Sequence, residues 1–146
     1  MPNSNVSFLM TITDDGEEME TRYDTVGTFK EKDGVWYLLF DEVNDEGDVT
    51  KCRFEISREA VRVRRKGPMI INQTHELAVV TTGYIKTPFN HVDTRLMTKQ
   101  LDFINDSEDV FTLLVDYDLF TGESLVGHYK LFIEILTGGK FHDTTN

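Results

Sequence analysis

His128-Tyr129-Lys130-Leu131-Phe132-Ile133-Glu134-Ile135 places Tyr129, Leu131, Ile133 and Ile135 at alternate positions. Successive side chains of a strand point to opposite faces, so a period of two marks a half-buried β-strand. The pattern recurs upstream. Val6, Phe8, Met10 and Ile12 share one face, as do Cys52, Phe54 and Ile56, and Val61 and Val63. Asp15-Gly16, Asp33-Gly34, Glu46-Gly47 and Thr121-Gly122 fall between such runs. Glycine there accepts the positive φ that tight hairpin turns need.

Alternation predicts strands over about 5–13, 21–32, 35–43, 49–56, 60–66, 69–72, 76–88, 91–103, 109–120 and 124–136. Residues 35–40, Val-Trp-Tyr-Leu-Leu-Phe, are apolar on both faces and predict a covered central strand. Only Ser57-Arg58-Glu59-Ala60 suggests helix, as a single turn. Many antiparallel strands joined by short turns indicate a sandwich or barrel. Their near-sequential order favours an up-and-down meander that closes on itself and so removes its edges. The expectation is an all-β, single antiparallel barrel of about eight to ten strands, wide enough for side chains or one small ligand. The barrel covers about 5–136 of a single domain, 1–146, and the tail 137–146 is expected to fray.

At 146 residues the chain can bury a core without disulfide or metal. Asp and Glu number 26 against 15 Lys and Arg, a net charge of −11. Such a surface repels phosphate backbones and anionic lipids, which argues against nucleic acid and membrane as partners. The N-terminus has no basic stretch leading into an apolar core, so a cytoplasmic protein is expected. The single cysteine, Cys52, lies on an apolar strand face and reads as a buried small hydrophobe. The acidic runs 14–20 and 41–48 read as solvated hairpin loops, because their spacing fits no calcium loop.

Beyond Val61, Arg65-Lys66-Gly67 is followed by Tyr84-Ile85-Lys86-Thr87-Pro88-Phe89 and then by a strand ending in Leu96-Met97-Thr98. Val115-Asp116-Tyr117-Asp118-Leu119 comes next, ahead of a final apolar strand. This order resembles the bacterial DUF1934, or YwiB-like, family, with Asn90 where the family usually has glycine. Asparagine is among the residues that best tolerate positive φ, so the turn is preserved. The resemblance implies a calycin-like, lipocalin-like β-barrel and implies no activity.

Several residues are candidates for a site. Gly34-Val35-Trp36 matches the lipocalin G-x-W, but it follows a hairpin rather than opening the barrel, so Trp36 reads as a wall or core aromatic. Arg62, Arg64 and Lys66 share one strand face, expected to pair with acidic neighbours. Arg65 points to the other face, with Val61 and Val63. A guanidinium inside a barrel must be paired, so Arg65 either fixes a carboxylate or receives an anionic ligand head. Tyr84, Thr87 and Tyr117 are its candidate polar companions. His75, His91, His128 and His142 show no metal-ligand spacing, although His75 and His91 flank one hairpin and could meet across it. Asp116 and Asp118 share the face opposite Tyr117, where solvent is their simplest environment. Ser124 stands in no nucleophile elbow.

No metal, cofactor or catalytic residue is therefore expected. The leading reading is a non-enzymatic barrel that binds a small apolar or amphipathic anionic ligand. An interior fully packed by side chains, with no void of ligand size (roughly 300 Å³ or more), would sink it. The alternative is a homodimeric interaction module, joined through a strand edge or the two-sided strand 35–40. An enzyme ranks third, because no nucleophile–base pair is legible.

Overall fold

The computed structural model describes residues 2–138. Ten strands follow in chain order: β1 (Ser4–Asp14), β2 (Glu17–Lys32), β3 (Val35–Val43), β4 (Val49–Ile56), β5 (Val61–Lys66), β6 (Ile70–His75), β7 (Val80–Lys86), β8 (His91–Ser107), β9 (Val110–Thr121) and β10 (Ser124–Leu136). All neighbours are antiparallel, and β1 pairs with β10 to close the barrel. The described residues contain no helix, and therefore none long and apolar enough to cross a membrane.

Each expected strand exists, with boundaries that differ for physical reasons. The acidic residues Glu17, Glu18 and Glu20 are strand rather than loop, because β1 pairs with β2 as far as Asp14↔Glu17. Only Asp15 and Gly16 turn, both at positive φ (51° and 81°), the geometry of a tight two-residue hairpin. Ser57–Ala60 is a hairpin turn and not a helical one. Ser57 N–H donates to Ala60 O at 2.9 Å, and the Ser57 hydroxyl donates to the same carbonyl at 3.0 Å. β6 continues through Asn72-Gln73-Thr74-His75, and the break falls later, at 76–79. Thr137 N–H is tied to Asp109 O at 2.8 Å, while 139–146, the rest of the expected frayed tail, and His142 lie outside the described residues.

The alternating apolar residues meet inside. Phe54, Leu38, Ile56, Leu113 and Ile133 are fully buried. Phe29 stacks on Trp36 with centroids 4.8 Å apart, and Phe103 and Phe111 pack edge-on to Phe29 at 6.4 and 4.9 Å. Tyr37, on the outer face of the two-sided strand, is covered by the Arg53 guanidinium at 5.6 Å. In β8 the register shifts between Thr98 and Gln100. The extra residue resets the alternation, so Thr98 points inward and Leu101 and Phe103 pack against the core after it.

Two seams are incomplete. β2 pairs with β3 only from Lys32↔Val35 to Gly27↔Phe40. Among the described residues, 17–26 of β2 have β1 as their only partner strand. Gly27 is the pivot, pairing with both Ser4 and Phe40. A Cβ there would stand 2.6 Å from Leu39 O, so glycine is what lets the strands meet. β6 and β7 share only three register pairs, Ile70↔Lys86, Ile71↔Ile85 and Asn72↔Tyr84. Beyond them the Thr81 hydroxyl donates to Thr74 O in place of the ladder.

Candidate functional site

Alternation along β5 carries Arg65 inward after the buried Val61 and Val63. The guanidinium enters the barrel beside Cys52, its register partner on β4. Its carboxylate is Glu42, two strands away on β3, with Arg65 Nη2 at 2.7 Å from Glu42 Oε1. Tyr23 on β2 donates its hydroxyl to the same Oε1 at 2.8 Å. Arg65 Nε is buried without an acceptor among the described residues.

These groups hold one another's charge states. Burial works to lower the Arg65 pKa, but the Glu42 carboxylate, with Cys52 and Tyr23, holds it above the ordinary arginine value. Burial and the hydrogen bond to Glu42 raise the Tyr23 phenol well above its usual value. Burial raises the Cys52 thiol despite the opposing Arg65 charge, so the sulfur is an unreactive neutral thiol.

A second polar group enters from β6. His75 is buried, with Nδ1 2.9 Å from Thr98 Oγ1. Burial pushes its pKa down to about 4, so it is neutral near pH 7. Its ring lies 4.5 Å from Tyr117, which stacks on Tyr129 at 5.1 Å. Burial raises the Tyr117 phenol, and Gln73 acts against that shift.

Between the two groups lies an interior cavity of about 210 Å³. Phe8, Met10, Phe54, Ile71, Ile85 and Leu131 give it mostly apolar walls, and Arg65, Glu42, Gln73, His75 and Tyr117 are its polar lining. Thr21 and Glu42 also line an outer cleft of about 440 Å³ at the open β2–β3 seam. Across that seam Thr25 Oγ1 donates to Asp41 O at 3.3 Å, beside the Tyr23–Glu42 bond.

Of the five candidates from sequence, Arg65 and Tyr117 both line the cavity. Tyr84 does not; it alternates with the inward Ile85, and its ring stacks on His91 at 5.2 Å. Thr87 Oγ1 accepts from Asn90 N–H at 3.0 Å and caps the β7–β8 turn. Trp36 belongs to the aromatic cluster with Phe29 and does not line the cavity. His75 and His91 do not meet. His91 sits opposite Lys86, which sits opposite Ile70 at the far end of β6 from His75. Asp118 is not merely solvated: it is ion-paired to Lys99 Nζ at 3.3 Å and hydrogen-bonded to His128 Nδ1. Among the described residues no three His, Cys, Asp or Glu side chains are placed to hold a metal ion.

Glu42, Gln73 and His75 escape a reading by composition, because each sits in a polar run that reads as a turn or loop, and Tyr23 lies in the expected strand 21–32 between the polar Arg22 and Asp24. A signal was present. Glu42 continues the inward face of Trp36, Leu38 and Phe40, and Gln73 and His75 continue that of Ile71.

The fold has a solved counterpart. The crystal structure of ywiB protein from Bacillus subtilis, 23% identical, superposes with a TM-score of 0.82 over 94% of this chain and 93% of its own. By sequence, the uncharacterized beta-barrel protein YwiB of Bacillus subtilis (strain 168) is 28% identical over 112 residues, 77% of this chain and 78% of that protein. Residues 6–133 match the family model described as "Domain of unknown function (DUF1934)", and the chain belongs to that family.

Proposed function

We propose that the barrel is a non-enzymatic binding protein for one small, largely apolar molecule with a single hydrogen-bond-accepting end, such as a carboxylate. One observation carries this reading: an apolar interior cavity lined by Arg65, a guanidinium whose Nε is left without an acceptor among the described residues. The size of the cavity restricts the ligand. At about 210 Å³ it falls short of the ~300 Å³ of drug-sized sites. It exceeds the ~150 Å³ apolar cavity that is known to take up benzene. A single aromatic ring or a short branched acid suits that space, and a long lipid does not. Because Glu42 already neutralises Arg65, the ligand's head is oriented more by the unfilled donor than by net charge.

Benzoate is a suitable first probe. Titration followed by calorimetry and thermal shift should show saturable stabilisation that Arg65→Met removes and Trp36→Phe retains. Native mass spectrometry of protein from its own host reports copurifying ligand directly. Apo protein that no small aromatic or branched carboxylate stabilises would sink the proposal.

A homodimer is a second reading, favoured by Phe89, which is 94% exposed at the tip of the β7–β8 turn. Both edges of strand 35–40 are paired, and on its outer face Leu39 stays exposed, so a second copy could still cover that face. Sedimentation of wild type against Phe89→Ser decides it: a monomer at micromolar concentration excludes the dimer.

A further inference from the structure

The outer face of β4 and β5 concentrates positive charge that the carboxylates of this acidic chain neutralise only in part. Its register puts Arg64 opposite Arg53 and Lys66 opposite Lys51. On their other side, Arg64 faces Asn72 and Lys66 faces Ile70. Like charges directly opposite one another on a sheet are destabilising. The expected pairing with acidic strands is therefore largely absent. Lys51 reaches Asp41 only at 3.7 Å, and Arg53 reaches Glu55 at 3.2 Å. Among the described residues Arg64 and Lys66 form no ion pair, and Arg62, although opposite Glu55, forms none either, in a chain whose net charge is −11.

Beside these cations runs a surface groove of about 630 Å³. Val26, Leu39 and Val43, all exposed, line one part of it, and Lys51, Arg64 and Lys66 line another, with Asp41, the partner of Lys51, beside them. The groove lies where β2 swings away from β3 beyond Gly27. We infer that it is a docking site for an extended acidic peptide segment of a partner protein, with carboxylates toward Arg64, Lys66 and Lys51 and aliphatic side chains toward Leu39 and Val43. Charge complementarity selects the acidic partner. The acidic β3–β4 loop, Asp45-Glu46-Gly47-Asp48, borders the same face, so a broad polyanion such as a duplex or an anionic bilayer meets repulsion that one narrow chain avoids.

The test is fluorescence anisotropy with a labelled peptide of alternating glutamate and leucine, on the full chain at low and physiological salt. Saturable binding that weakens with salt is expected. Arg64→Glu/Lys66→Glu should weaken it by roughly tenfold or more. Arg22→Glu/Arg58→Glu changes net charge equally away from the groove and should leave binding within about twofold. The first pair converts two like-charge cross-strand pairs into opposite-charge pairs, so its melting temperature should hold or rise, which separates lost binding from lost folding. No saturable peptide binding, or equal weakening by both pairs, overturns the proposal. So does tighter binding of a single-stranded oligonucleotide or of phosphatidylserine vesicles than of the peptide.

Discussion

Arg65 Nη2 meets Glu42 Oε1 at 2.7 Å from strands that do not touch, β5 and β3, with β4 between them. The pair spans the inner wall rather than decorating a surface. Both side chains keep about a quarter of their exposure, 26% and 24%, so the pair lies between a surface bridge and a fully buried one. Glu42→Gln leaves the guanidinium without its counter-charge and should cost about 2 kcal/mol, between the ≤1 of exposed pairs and the 3–5 of buried ones. Replacing both, as Glu42→Leu/Arg65→Met, should cost less than Glu42→Gln alone. A urea-denaturation double-mutant cycle measures this, and additive losses would refute it.

His75 gives the fold a pH dependence of definite sign. Its pKa falls from 6.5 to about 4 on folding, through burial. The unfolded chain therefore binds more protons between those values, and the contribution is full above about 6.5 and lost as pH falls toward 4. The difference corresponds to about 3 kcal/mol at most. His75→Gln should flatten the stability profile of wild type between pH 6.5 and 4. Parallel profiles for the two proteins would rule the effect out.

Gly27 and Gly16 should respond differently to alanine. At Gly27 a Cβ meets Leu39 O at 2.6 Å and Phe40 Cβ at 3.1 Å, so Gly27→Ala forces β2 off β3 and should cost about 2 kcal/mol or more. At Gly16 nothing lies within 4 Å of the added Cβ, and only the strain of φ +81° remains, about 1 kcal/mol. Thermal melts of the two variants compare them, and an equal loss would contradict the pivot at Gly27.

Filling the cavity should separate binding from folding. Ile71 lines the void, so the larger ring of Ile71→Phe enters existing space, and stability should stay within about 1 kcal/mol. Benzoate stabilisation should disappear. Retained stabilisation would place the ligand elsewhere.

Much of the barrel is legible in local pattern, because a sheet with one face inside and one outside writes its period of two directly into the chain. Arg65 is legible for the same reason: it continues Val61 and Val63. Tyr84 and Thr87 mislead because a motif carries no parity, and theirs belongs to a turn that Thr87 itself caps. Glu42, Gln73 and His75 are hidden because inward polar residues look like loop residues until their partners, Arg65 and Thr98, are placed by strands distant in sequence. The cation face was legible as a cluster, but its like-charge register required the pairing of β4 with β5.

The β1–β10 seam, with Asn5 opposite Leu136, makes the order of strands around the barrel a ring. Every other neighbour in that ring is also a neighbour in sequence, so no strand connection crosses another. The chain's point of entry is then topologically arbitrary. A short loop joining β10 to β1, with new ends opened at Asp33-Gly34, preserves every strand pairing and moves only the break. Such a circular permutant should reach the same barrel by a different order of hairpin closure, with Phe29–Trp36 rather than β1–β10 as the last contact zipped.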